Sequence, residues 1–151
     1  MRHLYAAALL AAAVVAVLVL AGTAAGNHRP NHLETTLVGA EEVPGPGDPD
    51  GSGQADLRVM PRRGRICFEF TVMNVATITA AHIHKAPAGM AGPIVVDLSP
   101  VPPDADDGHW QGCKTGLDHA LLRDIKLNRV GYYVNVHNGP FPSGALRGQL
   151  D

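Results

Sequence analysis

The chain has little of what marks the common enzyme classes. Its 151 residues contain no Gly-x-Ser-x-Gly, no glycine-rich phosphate loop, no His-Glu-x-x-His and no Cys-x-x-Cys. Those absences remove the familiar signatures of serine hydrolases, nucleotide-phosphate sites, zinc-helix peptidases and dithiol redox proteins. Aromatic residues make up only 5 % of the chain, so any core must be mostly aliphatic. There is no basic stripe, which argues against nucleic acid as a partner. Glu41 and Glu42 are adjacent and would face opposite sides of a strand, so they do not form a glycosidase pair. Long-period repeats are absent, and long helical apolar patterns are scarce.

Charge is also missing from one place in particular. After Arg2, no charged side chain occurs from Leu4 to Gly26, where Ala, Val and Leu dominate. A positive start, an apolar centre and small residues at Thr23 and Ala25 predict a signal peptide over residues 1–25. The alternative is an uncleaved N-terminal anchor, since the run approaches the ~20 apolar residues of a membrane span. No cysteine stands near its end, so lipidation is not expected. Residues 26–151 then form one exported domain, long enough for one real core. That domain holds all 14 acidic and 11 of the 12 basic residues. It also holds both cysteines, Cys67 and Cys113, and in an oxidising compartment such a pair predicts a disulfide.

Gly, Pro, Asn and Asp interrupt the domain at short intervals, leaving runs rich in Val, Ile, Thr, Leu, Phe and Tyr. That rhythm predicts short strands. The runs are Leu33 to Val38, Ala55 to Met60, Arg65 to Val75, Ile78 to His84, Pro93 to Leu98, which reads as a buried-type strand, Tyr132 to His137 and Ala145 to Leu150. Ala55, Leu57 and Val59 share one face, as do Ile66, Phe68, Phe70 and Val72, so these faces are expected to turn inward. Cys67 then faces the other way, and its bridge is expected to tie that face to a covering loop. Residues 100–112, with Asp104, Asp106 and Asp107, are expected to form a surface loop. Leu117, Leu121, Leu122 and Ile125 fall at helical spacing and predict one short amphipathic helix covering an end of the sheet. The fold class is all-β: an antiparallel β-sandwich or Greek-key barrel with one short helix. Asp48 to Asp56 has oxygens and a glycine spaced like the start of a calcium loop, but Val59 stands where the closing Glu belongs, so a turn is expected.

Two segments concentrate chemistry: Ala81-His82-Ile83-His84-Lys85 and Tyr132-Tyr133-Val134-Asn135-Val136-His137. Together with Leu37-Val38-Gly39-Ala40-Glu41-Glu42-Val43-Pro44, Gly92-Pro93-Ile94-Val95-Val96-Asp97-Leu98 and the Leu146-Arg147-Gly148-Gln149-Leu150 ending, they resemble the CHRD domain, a family named for its occurrence in chordin. The resemblance implies an all-β extracellular domain, here of the bacterial secreted, single-domain type. It implies extracellular interaction and brings no catalytic residues. The loop 44–53 and the acidic loop 104–109 depart from the family pattern. The Cys pair is not uniform in the family, so the disulfide rests on composition.

Read on their own chemistry, His82 and His84 lie two apart on a strand, about 7 Å between Cα atoms, and project from one face. His137 ends another strand and is the candidate third ligand for copper or zinc. Asp97 or an acidic loop residue would orient a ring. The bland alternative is a set of histidines that donate to carbonyls and pack against tyrosines. The His-x-His strand is distantly similar to that of copper–zinc superoxide dismutase, but His109 and His119 lack the spacing to complete that ligand set. Arg147 is a candidate clamp for a carboxylate such as Glu41 or Glu42, or for an anion. The leading reading is a secreted or surface-attached, non-catalytic binding module for an extracellular protein or cell-envelope component. Contact with a membrane is expected only through a retained N-terminal segment. The alternative is a periplasmic or secreted copper- or zinc-binding protein.

Overall fold

The computed structural model describes residues 31–99 and 108–151. Residues 1–25, expected to be a signal peptide or anchor, and Asp104, Asp106 and Asp107 lie outside the described residues. Eight strands form one sheet: β1 (His32–Val38), β2 (Ser52–Met60), β3 (Arg65–Met73), β4 (Ile78–Lys85), β5 (Ile94–Asp97), β6 (His109–Lys114), β7 (Tyr132–Asn138) and β8 (Leu146–Gln149). Their order across the sheet is β5-β4-β7-β8-β1-β2-β3-β6, and every pairing is antiparallel. The two outermost strands come round to meet. Trp110 Nε1 on β6 donates to Leu98 O just past β5 at 3.3 Å, and Lys114 Nζ pairs with Asp97 at 3.0 Å. The sheet is therefore a nearly closed barrel, one of the two architectures expected.

The inward positions are those the alternation predicts. Ala55, Leu57, Val59, Ile66, Phe68, Phe70 and Val72 are all buried, joined by Ala81, Ile83, Val134, Val136 and Leu146. Each fully buried aliphatic side chain of this size contributes about 1.5–3 kcal/mol of hydrophobic stabilisation. Helix α1 (His119–Leu127) follows the expected amphipathic pattern and buries Leu122 and Ile125. Asp118 caps it by accepting from the Ala120 N–H. Asp124 fixes the helix to the sheet by accepting from Lys85 Nζ and from the Tyr132 hydroxyl.

Three expectations need correction. First, residues 109–112 belong to strand β6, not to a surface loop. Its sequence hides this because only Trp110 is apolar and inward. Gly112 leaves room for the Phe68 ring, and Trp110 stacks on Phe70 at 4.4 Å, so the neighbouring strand fills the space. Second, Cys67 and Cys113 do form a disulfide, but they are direct register partners on β3 and β6. The bond therefore joins adjacent strands rather than a strand and a covering loop. Third, β5 is an outer strand with Ile94 exposed, not a fully buried one. In the calcium-like segment, Ser52 to Asp56 run in β2 rather than in the expected turn.

Candidate metal centre

Strands β4 and β7 pair with His82 opposite Asn135, His84 opposite Tyr133 and Ala80 opposite His137. Ala81, Ile83, Val134 and Val136 occupy the barrel interior between them. The alternation therefore places His82, His84, Tyr133, Asn135 and His137 together on the outer face. Strand β8 extends that face with Arg147, opposite Asn135, and Gln149, opposite Tyr133.

An outer face of a small barrel is ordinarily wet. This one is not: His84 is 8 %, Tyr133 and Asn135 are 3 % and Arg147 is 1 % exposed. Residues 86–93 fold back over it, held by side chains that reach backbone carbonyls. Arg147 donates to Met90 O at 2.9 Å and Pro87 O at 3.2 Å, and Gln149 Nε2 donates to Ala86 O at 3.0 Å. The Gly92 N–H donates to the Tyr133 hydroxyl at 3.2 Å. Residue 92 has to be glycine, because a Cβ there would run into the Lys85 carbonyl. The Arg147 guanidinium lies 3.5 Å above the Tyr133 ring, and His84 stacks on the same residue at 4.7 Å.

The three histidines converge. One ring nitrogen from each of His82, His84 and His137 can be chosen so that all lie within 4.8 Å of one another. His82 Nδ1 and His137 Nε2 are already 3.1 Å apart. A metal bonded to imidazoles at about 2.0–2.1 Å needs its donors roughly 3.3 Å apart in a tetrahedron, so small ring tilts suffice. The tautomers are set by carbonyls, which can only accept. His84 Nδ1 donates to Gly92 O at 2.8 Å, and His137 Nδ1 donates to Pro142 O at 3.1 Å. In each neutral ring the lone pair is therefore left on Nε2. His84 Nε2 is buried and has no hydrogen-bond partner. Burial, with the neighbouring His137 and His84 rings adding to it and Asp97 opposing, pushes His82 down to about 4. Burial likewise pushes His137 down, against the Pro142 carbonyl. Both rings are neutral at pH 7, the form that ligates metal.

The remaining site residues are placed as follows. Asp97, expected to orient a ring, instead accepts from Ser99 and Lys114. Backbone carbonyls do the orienting. Arg147 forms no ion pair with Glu41 or Glu42; its hydrogen bonds go to carbonyls and to Gln149. Sequence reasoning looked for a carboxylate, and a carbonyl acceptor has no side-chain signature. Glu42 nonetheless sits near enough for the Arg147 charge to act on it. Its carboxyl is 6 % exposed, and Oε1 has no partner. Burial, opposed by Arg147 and the Val43 N–H, pushes it up to about 7. Gly144, at φ 149°, lies against it, and a Cβ there would fall on the carboxylate. His109 pairs with Glu69 of β3 and is not part of this cluster.

The sequence model of the CHRD domain matches residues 33–150, from the first buried leucine of β1 to the residue after β8. The chain belongs to the CHRD domain family. No curated protein and no solved structure matches it. In this CHRD domain, three of the resembling segments, 81–85, 132–137 and 146–150, contribute side chains to this outer layer. Among the described residues, one other grouping has metal-like spacing, His32, Glu34 and Asp56, and it shares no residue with the first. There, both ring nitrogens of His32 are engaged by the two carboxylates, as an ion-paired imidazole would be. Among the described residues, no histidine belongs to both groupings. Among the described residues no helix is long and apolar enough to cross a membrane.

Proposed function

We propose that this CHRD domain is an exported, non-catalytic binding module whose ligand is a divalent transition metal, copper or zinc, held by His82, His84 and His137. The observation that carries the reading is His84 Nε2. It is a buried lone pair with no donor, on a ring whose other nitrogen is committed to a carbonyl. An unpartnered buried acceptor costs about 1–3 kcal/mol, and a cation shared with two further neutral imidazoles relieves that cost. Zn²⁺ and Cu²⁺ suit imidazole donors. Export is supported by the Cys67–Cys113 disulfide, which suits an oxidising compartment.

The test is elemental analysis and metal titration of the purified chain, beside a His82→Ala/His84→Ala variant. One equivalent of copper or zinc, lost in the variant, is the expected result. Absence of uptake by the unaltered chain would overturn the reading.

A second reading keeps the histidines structural and takes the ligand to be an extracellular protein or envelope component. It is favoured by a polar groove of about 590 Å³ beside β1, lined by Glu34, Thr35, Gln54, Asp56 and Gln149. That groove is built by residues other than the three histidines, so metal-independent partner binding, unaffected by the histidine variant, would single it out.

A further inference from the structure

The three-histidine site leaves open what completes the coordination, and with it which metal ion is preferred. Asn135 stands two residues before His137 on the same face of β7 and directly opposite His82 on β4. It is 3 % exposed. Its Oδ1 lies 3.1 Å from His137 Nε2, the same distance at which His82 Nδ1 approaches that atom. His137 has its ring hydrogen on Nδ1, directed at the Pro142 carbonyl. The amide oxygen and the Nε2 lone pair are thus two acceptors turned toward each other, with no hydrogen between them. Buried acceptors in that relation repel, and the contact becomes favourable when a positive ion lies against both.

We propose that Asn135 Oδ1 is the fourth protein ligand of the site, giving three imidazole nitrogens and one amide oxygen. This rests on the three-histidine reading and extends it. An amide oxygen is a hard donor, and no sulfur belongs to the set. The site therefore selects Zn²⁺ and Cu²⁺ and discriminates against Cu⁺, which prefers thiolate and thioether ligands. Four ligands from β4 and β7 also make the site a closed one of the storing or structural kind, without the open position of catalytic zinc.

The opposite role for Asn135 would be an amide turned about, with its NH₂ donating to His137 and touching no metal. Two variants separate the roles, because Asp offers oxygen and no N–H, whereas Ala offers neither. The full chain, Asn135→Ala and Asn135→Asp would be titrated with Zn²⁺, Cu²⁺ and, under reducing conditions, Cu⁺, against a competing chelator. Electron paramagnetic resonance spectra of the Cu²⁺ forms would be compared, and circular dichroism would confirm folding. The expected result is roughly tenfold or greater loss of Zn²⁺ and Cu²⁺ affinity in Asn135→Ala, with a changed Cu²⁺ spectrum and a smaller preference over Cu⁺. Asn135→Asp should bind at least as tightly as the unaltered chain. An Asp variant as weak as the Ala variant, with Cu²⁺ spectra unchanged in both, would overturn the fourth-ligand proposal and leave the histidine site standing. Failure of the unaltered chain to take up any metal would overturn both.

Discussion

The two faces of β4, β7 and β8 are both sheltered, for different reasons and to different depths, since His82 and His137 on the outer face are half-buried. Toward the barrel axis stand Ala81, Ile83, Val134, Val136 and Leu146, each at 0 % exposure. Removal of apolar surface from water holds that face, and it tolerates any arrangement of similar volume. One residue along each strand, pointing the other way, stand His82, His84, Tyr133, Asn135, His137 and Arg147. They stay dry because Arg147, Gln149 and Tyr133 hold the 86–93 strap over them. The inner face supplies cohesion. The outer one supplies placement, through directed hydrogen bonds to the strap and with His84 Nε2 left without a partner.

The largest effect should come from the inner face. Ile83→Ala should cost about 2–5 kcal/mol in urea unfolding and leave the metal affinity of the folded protein nearly unchanged. Loss of binding in step with loss of stability would erase the distinction between the faces. Arg147→Met keeps much of the side-chain volume but removes the donors to Met90 O and Pro87 O. It should cost about 2 kcal/mol and weaken metal uptake more than Ile83→Ala does. It should also speed hydrogen exchange at Gly92.

Smaller effects follow from titration. Glu42 ionises near 4.5 when unfolded and near 7 when folded. Between those values the folded chain binds the proton more tightly, so stability falls as pH rises through the window. Glu42→Gln removes that loss. Its melting temperature should match the parent below the window and exceed it above. His82 has the opposite sign. Its folded value near 4 lies below the unfolded 6.5, so acidification between them favours the unfolded chain. In the Glu42→Gln background this should leave a fold that weakens as pH drops through that interval, read by thermal melts in a pH series. A flat profile would mean that the rings are not held neutral by burial.

Much of the inner face was legible in the sequence because period-two alternation is a direct image of a half-buried strand. Leu57, Phe70 and Val59 could be placed inside from spacing alone. The convergence of His82, His84 and His137 was legible in part, because two of them share a strand face. The strap was not. Arg147 and the Nδ1 atoms of His84 and His137 bond to backbone carbonyls, and a carbonyl belongs to every residue, so no letter announces it. Strand β6 was hidden for a related reason: its inward volume is supplied by Phe68 and Phe70 of its neighbour, leaving Gly112 where an apolar letter would be sought. Asn135 stands within a motif, but only its register against His82 gives it a place.

The meeting of β5 and β6 has a bearing on how the chain behaves in company. An outermost strand offers a row of unpaired N–H and C=O groups on which another molecule's strand can seed aggregation. Here the Trp110–Leu98 hydrogen bond and the Lys114–Asp97 ion pair turn each outermost strand toward the other. The sheet thus shields the surfaces through which β proteins most readily polymerise, and crowding should leave it dispersed rather than fibrous.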